Sequence, residues 1–218
     1  MSLALFDLDQ TLLSGDSDYL WGQHLIEAGA VDRAHYERSN QRFYAEYENG
    51  TLDIEAFLRF ALAPLAAYPL AQLHAWRDDF IERRIQPLIS AKARAQLDGH
   101  RARGDTLVII TATNRFVTAP IAELLGVEHL LATEPEVVDG HYTGHAHGVP
   151  CFREGKVERL HAWLGADRSA LDDAWFYSDS HNDLPLLSQV AHPVAVDPDP
   201  ILHAHATAAG WSILSLRD

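Results

Sequence analysis

Residues 3–9 read Leu-Ala-Leu-Phe-Asp-Leu-Asp, a short apolar run that ends on two acids one residue apart. An apolar run of this length suits a buried strand, and open α/β folds collect their ligands at the carboxyl ends of such strands. Asp7 and Asp9 are therefore expected at the rim of a parallel sheet, as a reactive carboxylate pair.

The chain after this strand divides into two textures. From residue 17 to about 86 the apolar spacing is helical: Ile54, Phe57, Leu58, Ala61 and Leu62 make one stripe behind an Asp53 N-cap, and Leu73, Trp76, Phe80 and Ile81 repeat it. Trp21, Phe43, Tyr44 and Tyr47 also recur at helical spacing, as an inward stripe or a pocket wall. No strand-like alternation interrupts the block, which predicts a helical insertion acting as a lid.

From about residue 87, strands alternate with helices. Gly104 and Asp105 turn the chain into a strand at 107–110 with Thr111 at its carboxyl end, followed by a helix over 116–125 that Gly126 stops. Further strands are expected near Leu130 and at 175–177, 194–196 and 212–214. The expected fold is α/β: a doubly wound parallel-sheet, Rossmann-like core (1–15 and 87–218) with a helical cap (16–86) inserted after the first strand. Residues 137–152, with Gly140, Gly144 and Gly148, predict a hairpin or flap outside the main sheet.

Composition narrows the partners. Lys and Arg total 17 against 31 Asp and Glu, a net charge of −14, which disfavours nucleic acid and anionic membrane and favours a small substrate. Cys151 is the only cysteine, so no intrachain disulfide can form and a reducing, cytoplasmic setting is expected. No basic region precedes a long apolar stretch at the N-terminus, and the stretch over 57–73 is broken by Arg59 and two prolines. His141, His145 and His147 lie in the Gly-rich flap without an acid or thiol to complete a metal set, so they are read as solvated.

The polar signals that fall at strand ends or helix starts are Asp7 with Asp9, Thr111, Lys156, and the segment Ser-Asp-Ser-His-Asn-Asp over 178–183. A parallel sheet brings such positions to one edge. Like charges about 4 Å apart repel by roughly 4 kcal/mol at an effective dielectric near 20, so Asp7, Asp9, Asp179 and Asp183 need cations among them. Lys156 supplies one charge and a divalent ion two more; oxygen-only ligands favour Mg²⁺ over zinc. A phosphate would then be held by the backbone N–H groups of Leu8, Asp9 and Ala112 and by the Thr111 hydroxyl. Asp7 can attack phosphorus to give an aspartyl-phosphate, and Asp9 can protonate the leaving alkoxide and later deprotonate water.

In their order along the chain these residues resemble the motifs of the haloacid dehalogenase superfamily of phosphohydrolases. Asp-Leu-Asp-Gln-Thr resembles the first motif, Val-Ile-Ile-Thr the second, Lys156 in Arg-Glu-Gly-Lys the third, and the 178–183 segment the fourth. The helical insertion after motif one resembles the cap of the phosphoserine-phosphatase-like subfamily. The resemblance implies that Asp7 is the nucleophile and Asp9 the acid and base. It further implies that Mg²⁺ is held by Asp7, Asp9 through its backbone carbonyl, and Asp179. Asn182 is implied to place phosphate and substrate, and Asp183 to orient Lys156 or a metal-bound water. An acid at position 9 suits hydrolysis over a persistent phosphoenzyme.

Asp16 stands where that subfamily has a Glu touching the substrate amine. Ala61 stands where it has the Arg that clamps the substrate carboxylate, and Arg59 lies about 200° away around a helix of 3.6 residues per turn. The expected activity is a Mg²⁺-dependent phosphomonoesterase acting on a small phosphorylated metabolite of the phosphoserine or histidinol phosphate kind. The alternatives are a phosphotransferase using a hydroxyl acceptor and a non-catalytic phospholigand sensor.

Overall fold

The structure, a computed structural model, describes residues 2–218. Strands β1 (Leu3–Phe6), β2 (Thr106–Asn114), β3 (His129–Val138), β4 (His141–His147), β5 (Trp175–Ser178), β6 (His192–Val196) and β7 (Ser212–Leu214) form one seven-stranded sheet in the order β4-β3-β2-β1-β5-β6-β7. Every pairing is parallel except that of β3 with β4. The chain winds outward from β1 through β2 and β3, then restarts on the other side of β1 with β5. That reversal opens a crevice at the carboxyl ends of β1 and β5, where doubly wound sheets bind ligands.

Between β1 and β2 run α1 (Ser17–Glu27), α2 (Arg33–Glu48), α3 (Ile54–Ala67), α4 (Leu70–Phe80) and α5 (Ala91–Arg103). They are followed by α6 (Arg115–Leu124), α7 (Glu154–Leu164), α8 (Leu184–Leu187) and α9 (Pro200–Ala209). Their starts are written in short polar residues: Asp16, Asp32 and Asp53 accept from the N–H three residues on at 2.8, 2.7 and 3.1 Å. Each such cap is worth about 1 kcal/mol. Past α4 the helical path continues to Leu88 through irregular turns, two residues beyond the expected edge of the block. Among the described residues no single helix is long and apolar enough to cross a membrane.

All of β1 is buried, and its alternate side chains serve two cores. Leu5 packs with Val108, Ile110, Phe176 and Leu160 on one face, and Phe6 with Ile109, Val117 and Tyr177 on the other. The second cluster runs without a break into Trp21, Leu62, Leu73 and Phe80. Trp21 lies 5.3 Å from Phe80 and 6.0 Å from Phe116, centroid to centroid, so α1 and α4 share their apolar core with the sheet.

Two local expectations need correction. Strand β2 does not stop near Ile110 but runs to Asn114, with a shift of register against β3 between Thr111 and Asn114. The irregularity lets an extended chain re-aim its side chains at a site, and Asn114 caps α6. The expected hairpin exists, but it is not separate from the sheet. Its first strand is the outer half of β3, whose inner half pairs with β2. Asp139 and Gly140, both at positive φ, make the turn, and Gly144 rests against Ala66 of α3. His141, His145 and His147 are exposed.

Candidate active site

Three neighbouring parallel strands deliver the expected groups to one place. Asp7 follows β1, Asp179 follows β5, and Thr111 lies in β2; all three line a cavity of about 310 Å³ that also takes in Asp9, Asp16 and Ala112. Phe43, Tyr44, Tyr47 and Phe57 of α2 and α3 close it from above.

Lys156 comes from the first turn of α7 and is 3 % exposed. Its Nζ donates to Asp7 Oδ1 and to Asp183 Oδ2, both at 2.7 Å, and Asp183 Oδ2 also accepts from the Ser178 hydroxyl at 2.7 Å. Burial opposes the charge on Lys156, but Asp183 and Asp7 outweigh it and hold the ammonium above the usual lysine range. The preceding Gly155 makes this approach feasible, because a Cβ there would sit 2.0 Å from the carbonyl oxygen of Pro150. Gly155→Ala is therefore expected to push the first turn of α7 outward and destabilise the fold by about 1–3 kcal/mol or more, read by urea denaturation. An unchanged midpoint would show that the turn can yield.

Asp9 sits in a turn, Leu8–Leu12, where its own backbone is extended (φ −72°, ψ 135°) and Gln10 is left-handed at φ 57°. A non-glycine residue there stores strain. Arg217 at the far end of the chain braces the turn by donating to the carbonyls of Gln10 and Leu13 at 2.5 and 2.9 Å. The Asp9 carboxylate accepts from Ser17 N at 2.6 Å and from the Thr113 hydroxyl at 2.8 Å. Burial pushes its pKa up to about 6, with repulsion from Asp16 adding and the Ser17 and Thr113 bonds opposing.

Burial raises Asp7 further, to about 7, against the pull of Lys156 and with repulsion from Asp183 and Asp9. Asp179 is pushed well above the carboxylate range by burial and then by Asp7 and Asp183. Thr11 links it to the first loop, accepting from Asp179 N at 3.1 Å and donating to Asp179 Oδ1 at 3.2 Å. The acids crowd together with only one lysine among them, which is the electrostatic setting for a bound cation.

The donor chemistry fits Mg²⁺. Ser17 N and the Thr113 hydroxyl each hold one oxygen of the Asp9 carboxylate, which leaves Asp7 and Asp179 as carboxylates and the Asp9 carbonyl as the remaining expected ligand. No three His, Cys, Asp or Glu side chains among the described residues form a ready-made metal cage. A short all-oxygen set suits Mg²⁺, which keeps positions for water and phosphate.

Some expected residues stand elsewhere. Asn182, expected at the phosphate, does not line the cavity; it donates to the Tyr47 carbonyl at 3.1 Å and accepts from Arg153 Nε at 2.9 Å. Arg153 in turn donates to the Gly50 carbonyl at 2.5 Å. These bonds dock the α2–α3 turn on the 178–183 loop, where Gly50 takes a left-handed backbone at φ 67° that favours glycine. His181 is turned toward Asp199, at 2.8 Å, rather than into the cavity. Asp16 lines the cavity and also caps α1.

The sequence assigns no individual role to Thr11, Ser178 and Arg153, which lie inside the motif segments, or to Thr113, which lies two residues past Thr111. Thr11 and Thr113 each lie two residues from a residue that drew notice, and that alternation was the available signal for them. Arg153 opens the segment that carries Lys156, but its reach to Asn182 and Gly50 depends on a backbone at φ 51°.

The profile of the haloacid dehalogenase-like hydrolase family matches residues 4–188. A histidinol-phosphatase of Neisseria meningitidis serogroup C (strain 8013) is 44% identical over 220 residues, covering 99% of both chains. A crystal structure of a protein of unknown function from Bordetella pertussis Tohama I superposes with a TM-score of 0.93 at 45% identity over 99% of each chain. A phospho-aspartyl intermediate analogue of phosphoserine phosphatase has the same fold, with a TM-score of 0.70 at 21% identity over 99% of this chain and 93% of its own.

Proposed function

The chain belongs to the haloacid dehalogenase-like hydrolase family and is a phosphatase, and on that premise we propose that it hydrolyses a small phosphorylated metabolite through a phosphoryl group carried on Asp7. The observation that supports this most is Asp7 itself, buried at the end of β1, hydrogen-bonded to Lys156, and facing the same cavity as Asp9.

Asp7 attacks phosphorus opposite the ester oxygen. The bond to the leaving alkoxide breaks as the aspartyl-phosphate forms, and Asp9 gives the alkoxide its proton. Asp9 then takes a proton from water, whose oxygen attacks phosphorus and releases Asp7 with inorganic phosphate. A pKa near 6 lets Asp9 do both jobs around neutral pH. Thr111 and the Ala112 backbone hold the phosphoryl oxygens, while Asp183 and Ser178 keep Lys156 pointed at Asp7. Asp7, Asp179 and the Asp9 carbonyl would hold Mg²⁺, which would neutralise charge on the phosphoryl oxygens. The helices over the cavity act as a cap that keeps bulk water out during transfer.

Histidinol phosphate is the preferred candidate, since the Neisserial relative is named for it. Phosphoserine is less favoured. Ala61 is buried in α3, and Arg59 opens onto a separate groove with His35 and Phe60.

The test is phosphate release from a panel of small esters with Mg²⁺ and with EDTA. Histidinol phosphate is expected to reach a kcat/KM of about 10⁴ M⁻¹s⁻¹ or more, lost with EDTA. No release from any ester, or release of the ester's alcohol without matching inorganic phosphate and only when a hydroxyl acceptor is added, would refute hydrolysis. Asp9→Asn is expected to lower kcat/KM of an alkyl ester by about 10²–10⁴-fold, and less for p-nitrophenyl phosphate, whose leaving group needs no proton. Equal losses on both esters would remove the acid role in the first half-reaction.

A further inference from the structure

The cavity wall carries seven carboxylates and no Lys, Arg or His side chain. Asp7, Asp9 and Asp179 belong to the phosphoryl end. Asp199 is committed to His181 and to the first N–H groups of α9. Asp16, Asp18 and Glu48 remain, lining the part of the cavity formed by α1 and α2.

Asp16 has one oxygen on Tyr19 N. Asp18 forms no ion pair or side-chain hydrogen bond among the described residues. Burial, with Asp16 and Asp9 nearby, pushes its carboxyl well above the usual range. Glu48 is the last residue of α2, where a negative charge opposes the helix dipole and no basic residue lies in the last turn to offset it. Asp18 has the favourable first-turn place of α1 but no partner there, and Glu48 is unfavourably placed for its own helix. Both share the cavity with Tyr19, Phe43, Tyr44 and Tyr47, whose faces attract flat or cationic groups.

We infer that this cavity selects phosphate monoesters that carry a protonated amine and no carboxylate, with Asp18 and Glu48 as the side chains that read that charge. The inference rests on the phosphatase reading above and goes beyond it, because it assigns selectivity to acids outside the phosphoryl centre. A substrate ammonium entering with its phosphate on Asp7 meets the acids of the same cavity, and its charge favours the ionised form of Asp18 that burial alone disfavours. A substrate carboxylate meets the same acids with no cation to receive it. An imidazole ring beside the amine adds a planar face for the tyrosines, and a second positive charge when it is protonated.

Phosphoethanolamine and phosphoserine differ only by a carboxylate, which makes them the probe pair, with histidinol phosphate and p-nitrophenyl phosphate as references. In the wild-type protein kcat/KM is expected to be about a hundredfold or more higher for phosphoethanolamine than for phosphoserine, and higher again for histidinol phosphate. Asp18→Asn is expected to reduce the phosphoethanolamine-to-phosphoserine ratio about tenfold, mainly through KM, and the double variant with Glu48→Gln to reduce it further. A folding defect would lower both substrates together and leave the ratio intact; Glu48→Gln, at an exposed position, gives a second reading.

A wild-type ratio near one would overturn the selectivity. So would a ratio unmoved by either substitution. If p-nitrophenyl phosphate and every other ester resist hydrolysis, the phosphatase reading falls and takes this selectivity with it.

Discussion

Asp7→Asn is expected to reduce phosphate release by roughly 10⁴- to 10⁶-fold, the scale seen when a covalent nucleophile is removed from an otherwise intact site. The amide keeps the shape of the side chain and can still accept from Lys156, but it is too poor a nucleophile to displace an alkoxide. The stability of the variant should move the other way. Burial, Asp183 and Asp9 all disfavour a charge on Asp7. Deleting that charge relieves repulsion at neutral pH in metal-free protein. A melting temperature equal to or above that of the wild type, together with lost turnover, separates chemistry from folding. Turnover within tenfold of wild type would remove Asp7 from the nucleophile's role.

Lys156→Met should damage both activity and stability. Its ammonium is the only cation bonded to Asp7 and Asp183 among the described residues, and all three side chains are nearly sealed from water. Removing one partner of such a buried cluster typically costs about 3–5 kcal/mol, because the remaining charges lose their compensation. The loss should depend on pH in a defined direction. Asp7 already has a folded pKa near 7, above its unfolded value of 3.8, and without Lys156 it rises further. A carboxyl with a raised folded pKa contributes stability that is present below the unfolded value and is lost as pH rises through the folded one. The deficit of the variant should therefore be small near pH 4 and largest above pH 7. Urea denaturation of both proteins in EDTA from pH 4 to 8 checks it. A deficit constant across that window would assign Lys156 to packing rather than to charge.

The parallel sheet was legible because its strands are short apolar runs with polar residues at their ends. The strand expected over 212–214 coincides with β7, and that over 194–196 falls within β6. Helix starts were legible where a single Asp caps them, as at Asp53. What failed were features set by tertiary pairing. The end of β2 depends on a register shift against β3, and the flap on the same β3 serving two partners, neither of which leaves a mark in local periodicity.

The acid cluster could be foreseen because strand ends in one sheet must converge, and the structure does bring Asp7, Asp9, Thr111, Ala112, Asp16 and Asp179 around one cavity. Asn182 could not be foreseen in its actual place. Its amide is drawn to the Tyr47 carbonyl by the fit of the α2–α3 turn, a contact 135 residues away along the chain. Asp18 looked like an ordinary first-turn acid of α1, which it also is. Only the shape of the cavity shows that the first turn of that helix faces inward.

In the proposed mechanism phosphorus passes through a covalent bond to Asp7. Rapid acid quenching of the Asp9→Asn protein during turnover of p-nitrophenyl phosphate with Mg²⁺, followed by peptide mass spectrometry, tests it most directly. The expected result is one phosphoryl group on the peptide bearing Asp7, absent when Asp7→Asn is added. A phosphoryl group on any other residue, or steady turnover with no labelled peptide under conditions that preserve acyl phosphates, would contradict it.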